Sequence, residues 1–203
     1  MRVAAIQTTA GPDRGENLER AGHLVEEAAD GGARLVVLPE YFSVAGSPDH
    51  LRSDAEALDG PTRTWAAALA RRKGVRLHTH LAETKDEDDF CRERFGCSPV
   101  DYMDGLGWLG PDVWLAHAVH LDGAAVAKVA STGTGVAHCP SSNARLGAGI
   151  ARAHDLREAG VPVSLGVDGA ASNEASSLLE EVRHALLFAR ARGGPTELAV
   201  RDA

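Results

Sequence analysis

Leu77-His78-Thr79-His80-Leu81-Ala82-Glu83-Thr84 joins a strand-like apolar pattern to metal-binding and acidic side chains. Because side chains alternate between the two faces of a strand, His78 and His80 share one face. Glu83 follows three residues after His80, just beyond the end of the predicted strand. Two imidazoles on one face can chelate a single metal ion, and Glu83 can either shuttle a proton or cap the next helix.

Short apolar runs like this one alternate with longer amphipathic segments along the chain. Six runs predict strands: Val3–Thr8, Leu35–Leu38, Arg76–Leu81, Val113–His117, Gly135–His138 and Val161–Val167. Helices are predicted over Asn17–Asp30, Pro61–Lys73, Pro99–Leu106 and Ser176–Arg192, the last with Leu178, Leu179, Val182, Leu186 and Ala189 facing inward. The alternation favours an α/β fold with about six mostly parallel strands covered by helices. The 203 residues fall short of the roughly 250 that a closed (β/α)8 barrel requires.

Polar side chains stand at four of the predicted strand ends. His80, His117 and His138 end their strands, and Asp168 follows the strand Val161–Val167 directly. Since the carboxyl ends of parallel strands gather ligands and catalytic groups, we expect these side chains to converge. Nitrogen and oxygen donors of this kind suit one divalent metal, most naturally zinc, with iron as the alternative. Taken singly, a histidine at a strand end is more often a hydrogen-bonded core residue than a metal ligand, but the full set is much less expected by chance than any one member.

Composition excludes several functional classes. The chain has 21 Lys and Arg against 29 Asp and Glu, a formal net charge of -8, which argues against binding to nucleic acid. No apolar run approaches the roughly 18 residues of a membrane span, and the first ten residues do not have the pattern of a signal peptide. Cys91, Cys97 and Cys139 are an odd set without metal-knuckle spacing, so we interpret them as reduced thiols of a cytoplasmic protein.

Four segments carry a resemblance to a known family: LHTHLAET, LAHAVHLD, GVAHCPSSNARLGAGIA and LGVDGAASNEASSLLEEVR. In order and spacing, residues 75–203 resemble the second half of the barrel of the amidohydrolase superfamily. The nearest branch is that of the metal-dependent purine and triazine deaminases, which includes the 8-oxoguanine deaminases. The resemblance implies a half (β/α)8 barrel and hydrolytic deamination of a purine-like or triazine-like ring, with a small heterocyclic amine as the substrate.

The same resemblance implies roles for individual residues. His80 would be a metal ligand, Glu83 the proton shuttle, and Asp168 both a ligand and the general base. His117 would orient the hydrolytic hydroxide, while the substrate would lie near two further residues, His138 and Asn143. The branch takes two more ligands from a His-x-His on the first barrel strand, a pair that lies upstream of the matched region. Since His78 belongs to the only His-x-His of this chain, it is a candidate substitute ligand.

The first third of the chain resembles a different family. MRVAAIQTTAGPDRGENLERAGHLVEEAADGGARLVVLPEYF is similar to the N-terminus of the nitrilase, or carbon–nitrogen hydrolase, superfamily. This resemblance implies that residues 1–74 form a fragment of an α-β-β-α sandwich in which Glu40 is the general base of a Glu–Lys–Cys triad. A triad also needs a lysine and a nucleophilic cysteine, and no lysine or cysteine of the chain has the required context. The two resemblances meet near residues 68–75, so the expected domains are 1–74 and 75–203 of a hybrid chain.

Three functions therefore stay open from the sequence. The first is a metal-dependent aminohydrolase, and the second is a nitrilase-like amidase. The third is a non-catalytic hybrid remnant, expected because neither half contains the complete core of its family. Exposed strand edges in such a chain would favour a homo-oligomer.

Overall fold

In a computed structural model, which describes residues 2–39, 41–54, 56 and 60–202, the chain divides into two compact units. The units are Met1–Leu77 and His78–Ala203. Each has its own β-sheet, so the six predicted strands form two sheets rather than one. The domain boundary expected at residues 74–75 was placed where two family resemblances meet, and it stays a prediction.

The first unit contains a parallel pair of short strands and three helices. Strand β1 (Val3–Ala5) pairs with β2 (Leu35–Val37) in the register Val3 to Leu35. The helices are α1 (Arg14–Asp30), α2 (Pro48–Ser53) and α3 (Pro61–Lys73). Both described strands of this unit belong to one sheet, so the second sheet of a nitrilase-type sandwich is not shown.

Helix α1 begins earlier than the sequence pattern predicted. The Asp13 side chain accepts a hydrogen bond from the Glu16 N–H, which makes Asp13 the N-cap, so the helix starts at Arg14, three residues before the predicted start at Asn17. Asn17 is instead buried inside the first turn, where its amide bonds the backbone of Gly11 and Ser43. The Asn17 amide makes three hydrogen bonds to backbone groups and so connects two loops to the helix. A polar residue at this position therefore does not mark the start of the helix.

The second unit is built on a four-stranded sheet. The strands are β3 (Leu77–Leu81), β4 (Val113–His117), β5 (Gly135–His138) and β6 (Val163–Leu165), in the spatial order β3-β4-β5-β6. The pairs β4–β5 and β5–β6 are parallel, as predicted. The helices that follow the strands are α4 (Lys85–Phe95), α5 (Pro99–Gly105), α6 (Gly123–Thr132), α7 (Pro140–Arg145), α8 (Ala153–Glu158) and α9 (Leu178–Gly193), with a 3-10 turn at Val200–Asp202. The carboxyl ends of these strands therefore lie along one edge of the sheet.

The inward face of α9 differs from the predicted one. Leu178 and Leu179 are 57% and 83% exposed, whereas Glu181, Ala185 and Ala189 are buried. These three residues are four positions apart and lie on one helix face. The prediction was wrong for Leu178 and Leu179, whereas Ala189 is buried as predicted. The Glu181 carboxylate has hydrogen-bond donors inside the protein, which lets a charged residue occupy the buried face.

Candidate metal centre

The strand ends of the second unit carry residues in the left-handed region of backbone space. Ala82, directly after β3, has φ 53°, His117 at the end of β4 has φ 70°, and Asp168, three residues after β6, has φ 63°. Non-glycine residues adopt such angles at a cost of order 1–3 kcal/mol, and they persist where the surroundings enforce them. The backbone bends sharply at the positions from which the candidate functional side chains project.

Three side chains from separate strand ends converge. His80, His117 and Asp168 each offer one ligand atom, and these atoms lie within 4.8 Å of one another. The imidazole rings of His80 and His117 meet edge to face, with centroids 5.0 Å apart. The His117 side chain is 1% exposed, while His80 is open to solvent and Asp168 is half-buried. Two imidazoles and a carboxylate form a donor set that fits zinc or ferrous iron, so the residues present are compatible with the expected metal.

The Asp168 carboxylate is held by hydroxyl groups. Ser142 Oγ donates to Asp168 Oδ2 over 2.5 Å, and Ser172 Oγ donates to the same oxygen over 3.0 Å. Burial by itself would raise the pKa of Asp168, but the hydrogen bonds from Ser142, the Gly169 backbone and Ser172 outweigh it and lower the pKa. Asp168 is therefore an anion at neutral pH, as a metal ligand and a base must be.

Glu83 lies at the same centre. Its Oε2 is 3.7 Å from His117 Nε2, and Asp168 Oδ2 is 4.0 Å from that nitrogen. The alternative role of Glu83 as a helix cap is filled by Thr84, whose hydroxyl accepts from the Glu87 N–H at the start of α4. The Glu87 carboxylate in turn accepts from the backbone N–H groups of Ala82 and Glu83, each over 2.9 Å. This turn leaves the Glu83 side chain free to face the cluster.

Asn143 contacts a site residue directly. Its Oδ1 lies 2.9 Å from His117 Nδ1. A carbonyl oxygen can only accept, so Nδ1 carries the proton and His117 Nε2 presents its lone pair to the cluster. The other end of the amide, Asn143 Nδ2, is buried and has no hydrogen-bond partner among the residues that the structure describes. Asn143 thus orients a site histidine and retains one unused donor.

His138 is buried at the end of β5. It is 3% exposed and is not part of the described cluster of His80, His117 and Asp168. Within the described part of the chain, its Nδ1 has no hydrogen-bond partner. Burial lowers the pKa of His138 to about 4, so the ring is neutral at physiological pH.

The predicted ligand His78 lies outside the three-donor cluster. The His78 ring stacks on Trp114 at a centroid distance of 4.8 Å, and its Nδ1 bonds the Trp114 carbonyl over 3.0 Å. The described cluster consists of His80, His117 and Asp168, and His78 is not part of it. The predicted base Glu40 lies outside the described residues.

Several supporting residues have no place in the sequence prediction. They are Ser142, Ser172, Asn173, Glu181 and Glu87. The signal for Glu181 was present in α9, since an acid four positions before Ala185 and eight before Ala189 shares their narrow face. Ser142 stands beside Asn143 in a segment already singled out, but hydroxyl groups are too common to identify by type.

Comparison with known proteins assigns the fold to a family. The model of the Amidohydrolase family matches residues 10–202. The chain belongs to the amidohydrolase family. The match begins at residue 10 and so takes in most of the stretch expected to be nitrilase-like, and these comparisons give no support for a nitrilase hybrid.

Individual relatives agree with this membership. The chain is 45% identical over 168 residues to 8-oxoguanine deaminase of Pseudomonas aeruginosa, covering 83% of this chain and 35% of the relative. It is 44% identical over 179 residues to isoxanthopterin deaminase of an unknown prokaryotic organism, covering 88% and 35%. The structure of triazine hydrolase from Arthrobacter aurescens superposes with a TM-score of 0.69 at 24% identity, covering 88% of this chain and 48% of that one, which establishes likeness of fold. The chain thus spans about a third of the length of these two curated relatives.

Proposed function

We propose that this amidohydrolase chain carries the catalytic half-site of a hydrolytic deaminase that acts on a small heterocyclic amine. The observation that carries the proposal is the meeting of His80, His117 and Asp168 within 4.8 Å, with the Glu83 carboxylate 3.7 Å from His117. The relatives named 8-oxoguanine deaminase and isoxanthopterin deaminase support the same reaction class. Because the chain covers 35% of each, the substrate is proposed as a class: a purine-like, pterin-like or triazine-like ring with an exocyclic amine.

His80, His117 and Asp168 are the residues that would hold a divalent metal, with zinc favoured by the two imidazoles and one carboxylate. When bound, the metal acts as a Lewis acid that lowers the pKa of water toward neutrality. His78 is a further candidate ligand through Nε2, since its Nδ1 is engaged by the Trp114 carbonyl. Metal content measured by mass spectrometry tests this assignment: His80→Ala should lose the metal, and an unchanged content in His78→Ala would remove His78 from the ligand set.

Proton transfer falls to the two carboxylates. Asp168 is ionised at neutral pH and accepts the proton of the attacking water, whose oxygen bonds to the ring carbon that bears the amine. Glu83 donates a proton to the ring nitrogen beside that carbon. Asp168 then passes its proton to the amine, the carbon–nitrogen bond breaks with release of ammonia, and the hydroxyl on the same carbon returns a proton to Glu83 as the ring carbonyl forms. His117 is kept in one tautomer by Asn143 and directs its Nε2 between these two groups.

Substrate contacts are proposed for two buried groups. In the described ranges, neither Asn143 Nδ2 nor His138 Nδ1 has a hydrogen-bond partner. A buried polar atom without a hydrogen bond costs about 1–3 kcal/mol, which a ring nitrogen or carbonyl oxygen of the substrate would recover. The neutral state of His138 suits a hydrogen bond to an uncharged ring.

Two of the three cysteines are poorly suited to act as the nucleophile that the amidase alternative requires. Cys91 and Cys139 are buried, and burial raises the pKa of their thiols to about 11 and about 12. A thiolate, not a thiol, is the nucleophile in such chemistry. The deaminase function is therefore the one that we propose.

Ammonia release from metal-stripped and zinc-reconstituted protein tests the proposed function. The substrates would be 8-oxoguanine, isoxanthopterin and an aminotriazine. The variants would be Asp168→Asn and Glu83→Gln, and Glu180→Gln would serve as an exposed control on α9. We expect zinc-dependent turnover that falls at least about 100-fold in the first two variants and is unchanged in the third. Turnover that survives Asp168→Asn, or that needs no metal, would contradict the proposal.

A further inference from the structure

Glu181 is a carboxylate buried in the second unit, away from the metal donors. It lies on the inward face of α9 with 0% exposure. Removing an ionised carboxylate from water is costly, and such groups are kept only where hydrogen bonds compensate the loss of hydration. A residue buried at such a cost on a face otherwise formed by alanine requires an explanation.

The carboxylate of Glu181 joins two loops. Its Oε2 accepts from the Ser141 backbone N–H over 3.1 Å, at the start of α7. Its Oε1 accepts from Asn173 Nδ2 over 2.8 Å, in the segment between β6 and α9. One side chain thus holds the loop after β5 and the loop after β6 at fixed separation.

Each loop leads directly to a site residue. Asn173 Nδ2 also donates to the Val167 carbonyl over 2.9 Å, and Val167 immediately precedes Asp168. On the other side, Ser141 is followed by Ser142, whose hydroxyl donates to Asp168 over 2.5 Å. Both connections from Glu181 therefore converge on one carboxylate, whose backbone is held at φ 63°.

The same helical turn reaches the second site residue. Asn143 follows Ser142 and bonds His117 Nδ1 over 2.9 Å. The Ser141 hydroxyl is 2.7 Å from His184 Nδ1, which gives α7 a second attachment to α9. Three consecutive residues, 141–143, thus connect α9, Asp168 and His117 in that order.

We infer that Glu181 is a positioning residue, which sets the relative placement of Asp168 and His117 by holding both loops through its two carboxylate oxygens. This inference rests on the proposed function, because the geometry it maintains is that of the proposed metal donors. Both of its partners are N–H donors, so two acceptor oxygens are needed. Glutamine has the same shape but offers one oxygen and one NH₂ group, which would face a donor and break one of the two connections.

Cobalt binding tests the inference by a readout other than turnover. Metal-free wild type, Glu181→Gln and the neighbouring exposed control Glu180→Gln would be titrated with Co²⁺ while the visible d–d bands are recorded. We expect Co²⁺ affinity to fall about 10–100-fold in Glu181→Gln, with altered band positions, and to be unchanged in Glu180→Gln. Asn173→Ala removes the donor to both Glu181 and Val167 but leaves the bond from the Ser141 N–H to Glu181 in place. It should cause a smaller loss, and it keeps the test available if Glu181→Gln does not fold.

The outcomes separate the positioning role from the proposed function. Wild-type affinity and bands in Glu181→Gln would overturn the positioning role and leave the deaminase proposal intact, even if the variant unfolds at lower temperature. If wild type binds no Co²⁺, the proposed function fails. Hydrogen exchange of the metal-free proteins then tests whether Glu181 holds the two loops. Faster exchange confined to residues 139–148 and 166–174 in Glu181→Gln would support the two-loop connection, whereas unchanged exchange would refute it.

Discussion

His117 and Asp168 combine two properties that seldom occur together in ordinary core residues. Both have left-handed backbone angles, and both offer one ligand atom to the same three-residue cluster. Their side chains are held by hydrogen bonds with Asn143 and Ser142 of helix α7. At the scale of single residues, the site is therefore set in place by its immediate neighbours before any ligand binds, which is the arrangement that efficient electrostatic catalysis requires.

His138 supplies a prediction on acid stability. Burial lowers its pKa in the folded protein from 6.5 to about 4, so between these two values the unfolded chain binds more protons than the folded one. The stability associated with neutral His138 is therefore complete above about pH 6.5 and is lost as the pH falls toward 4, by up to about 3 kcal/mol. The free energy of unfolding, measured in urea from pH 7 to pH 4, should fall less steeply in His138→Gln than in wild type. Parallel curves for the two proteins would show that His138 is not buried as described.

The turn between β3 and α4 shows how an element delivers a side chain to the site. Glu87, in the first turn of α4, accepts from the N–H groups of Ala82 and Glu83. The Glu87 carboxylate thereby links the first turn of α4 to the residues that follow β3, while Thr84 caps the helix. The acidic pattern after Thr84 consequently does more than favour the helix dipole.

Glu87→Ala gives a prediction for this element. Two backbone N–H groups would lose their acceptor, so we expect the free energy of unfolding to fall by about 1–3 kcal/mol and deaminase kcat to fall with little change in KM. Asp86→Ala is the matched control, since it removes an exposed first-turn charge of the same helix without these bonds. Equal losses in the two variants, by denaturation and kinetics, would mean that Glu87 acts only through its charge.

Strand positions were predictable because apolar runs with polar ends are local patterns. β4 and β5 begin and end as predicted, and β3 is one residue shorter than predicted. The terminal strands β1 and β6 are shorter still, with β6 reduced from Val161–Val167 to Val163–Leu165. Pairing with neighbouring strands determines where a strand ends, and that information is not local in the sequence.

Helix faces were harder to predict, for a physical reason that α9 illustrates. Leucine at 178 and 179 suggested burial by residue type, but the face that packs inward carries Glu181. Hydrogen bonds from Ser141 and Asn173 compensate the Glu181 carboxylate for its lost hydration, and these two residues are 40 and 8 positions away in sequence. The convergence of His80, His117 and Asp168 was predictable because histidine and aspartate are distinctive at strand ends, whereas the network that orients them is made of common residues.

At the scale of the whole molecule, the surface chemistry is acidic, with a formal net charge of -8. Within the described part of the chain, none of the helices has both the length and the apolar character needed to cross a bilayer. The donors His80, His117 and Asp168 all belong to the unit His78–Ala203, and they come from three separate strand–helix segments. A metal bound there would therefore link parts of the chain that are 88 residues apart in sequence at the extremes (168 less 80).

This linkage predicts that metal stabilises the folded chain. A ligand that binds only the folded state at about 1,000 times its Kd adds roughly 4 kcal/mol, and in a chain of this length each kcal/mol raises Tm by about 2–4 °C. Thermal unfolding of metal-stripped protein should therefore shift upward by roughly 10 °C when zinc is restored and return on addition of a chelator. Asp168→Asn, which keeps the shape but removes the anionic ligand, should lose most of this shift, while Glu180→Gln should retain it. Identical Tm values with and without zinc in the wild type would show that the three donors do not close around a metal, whatever their distances in the folded chain.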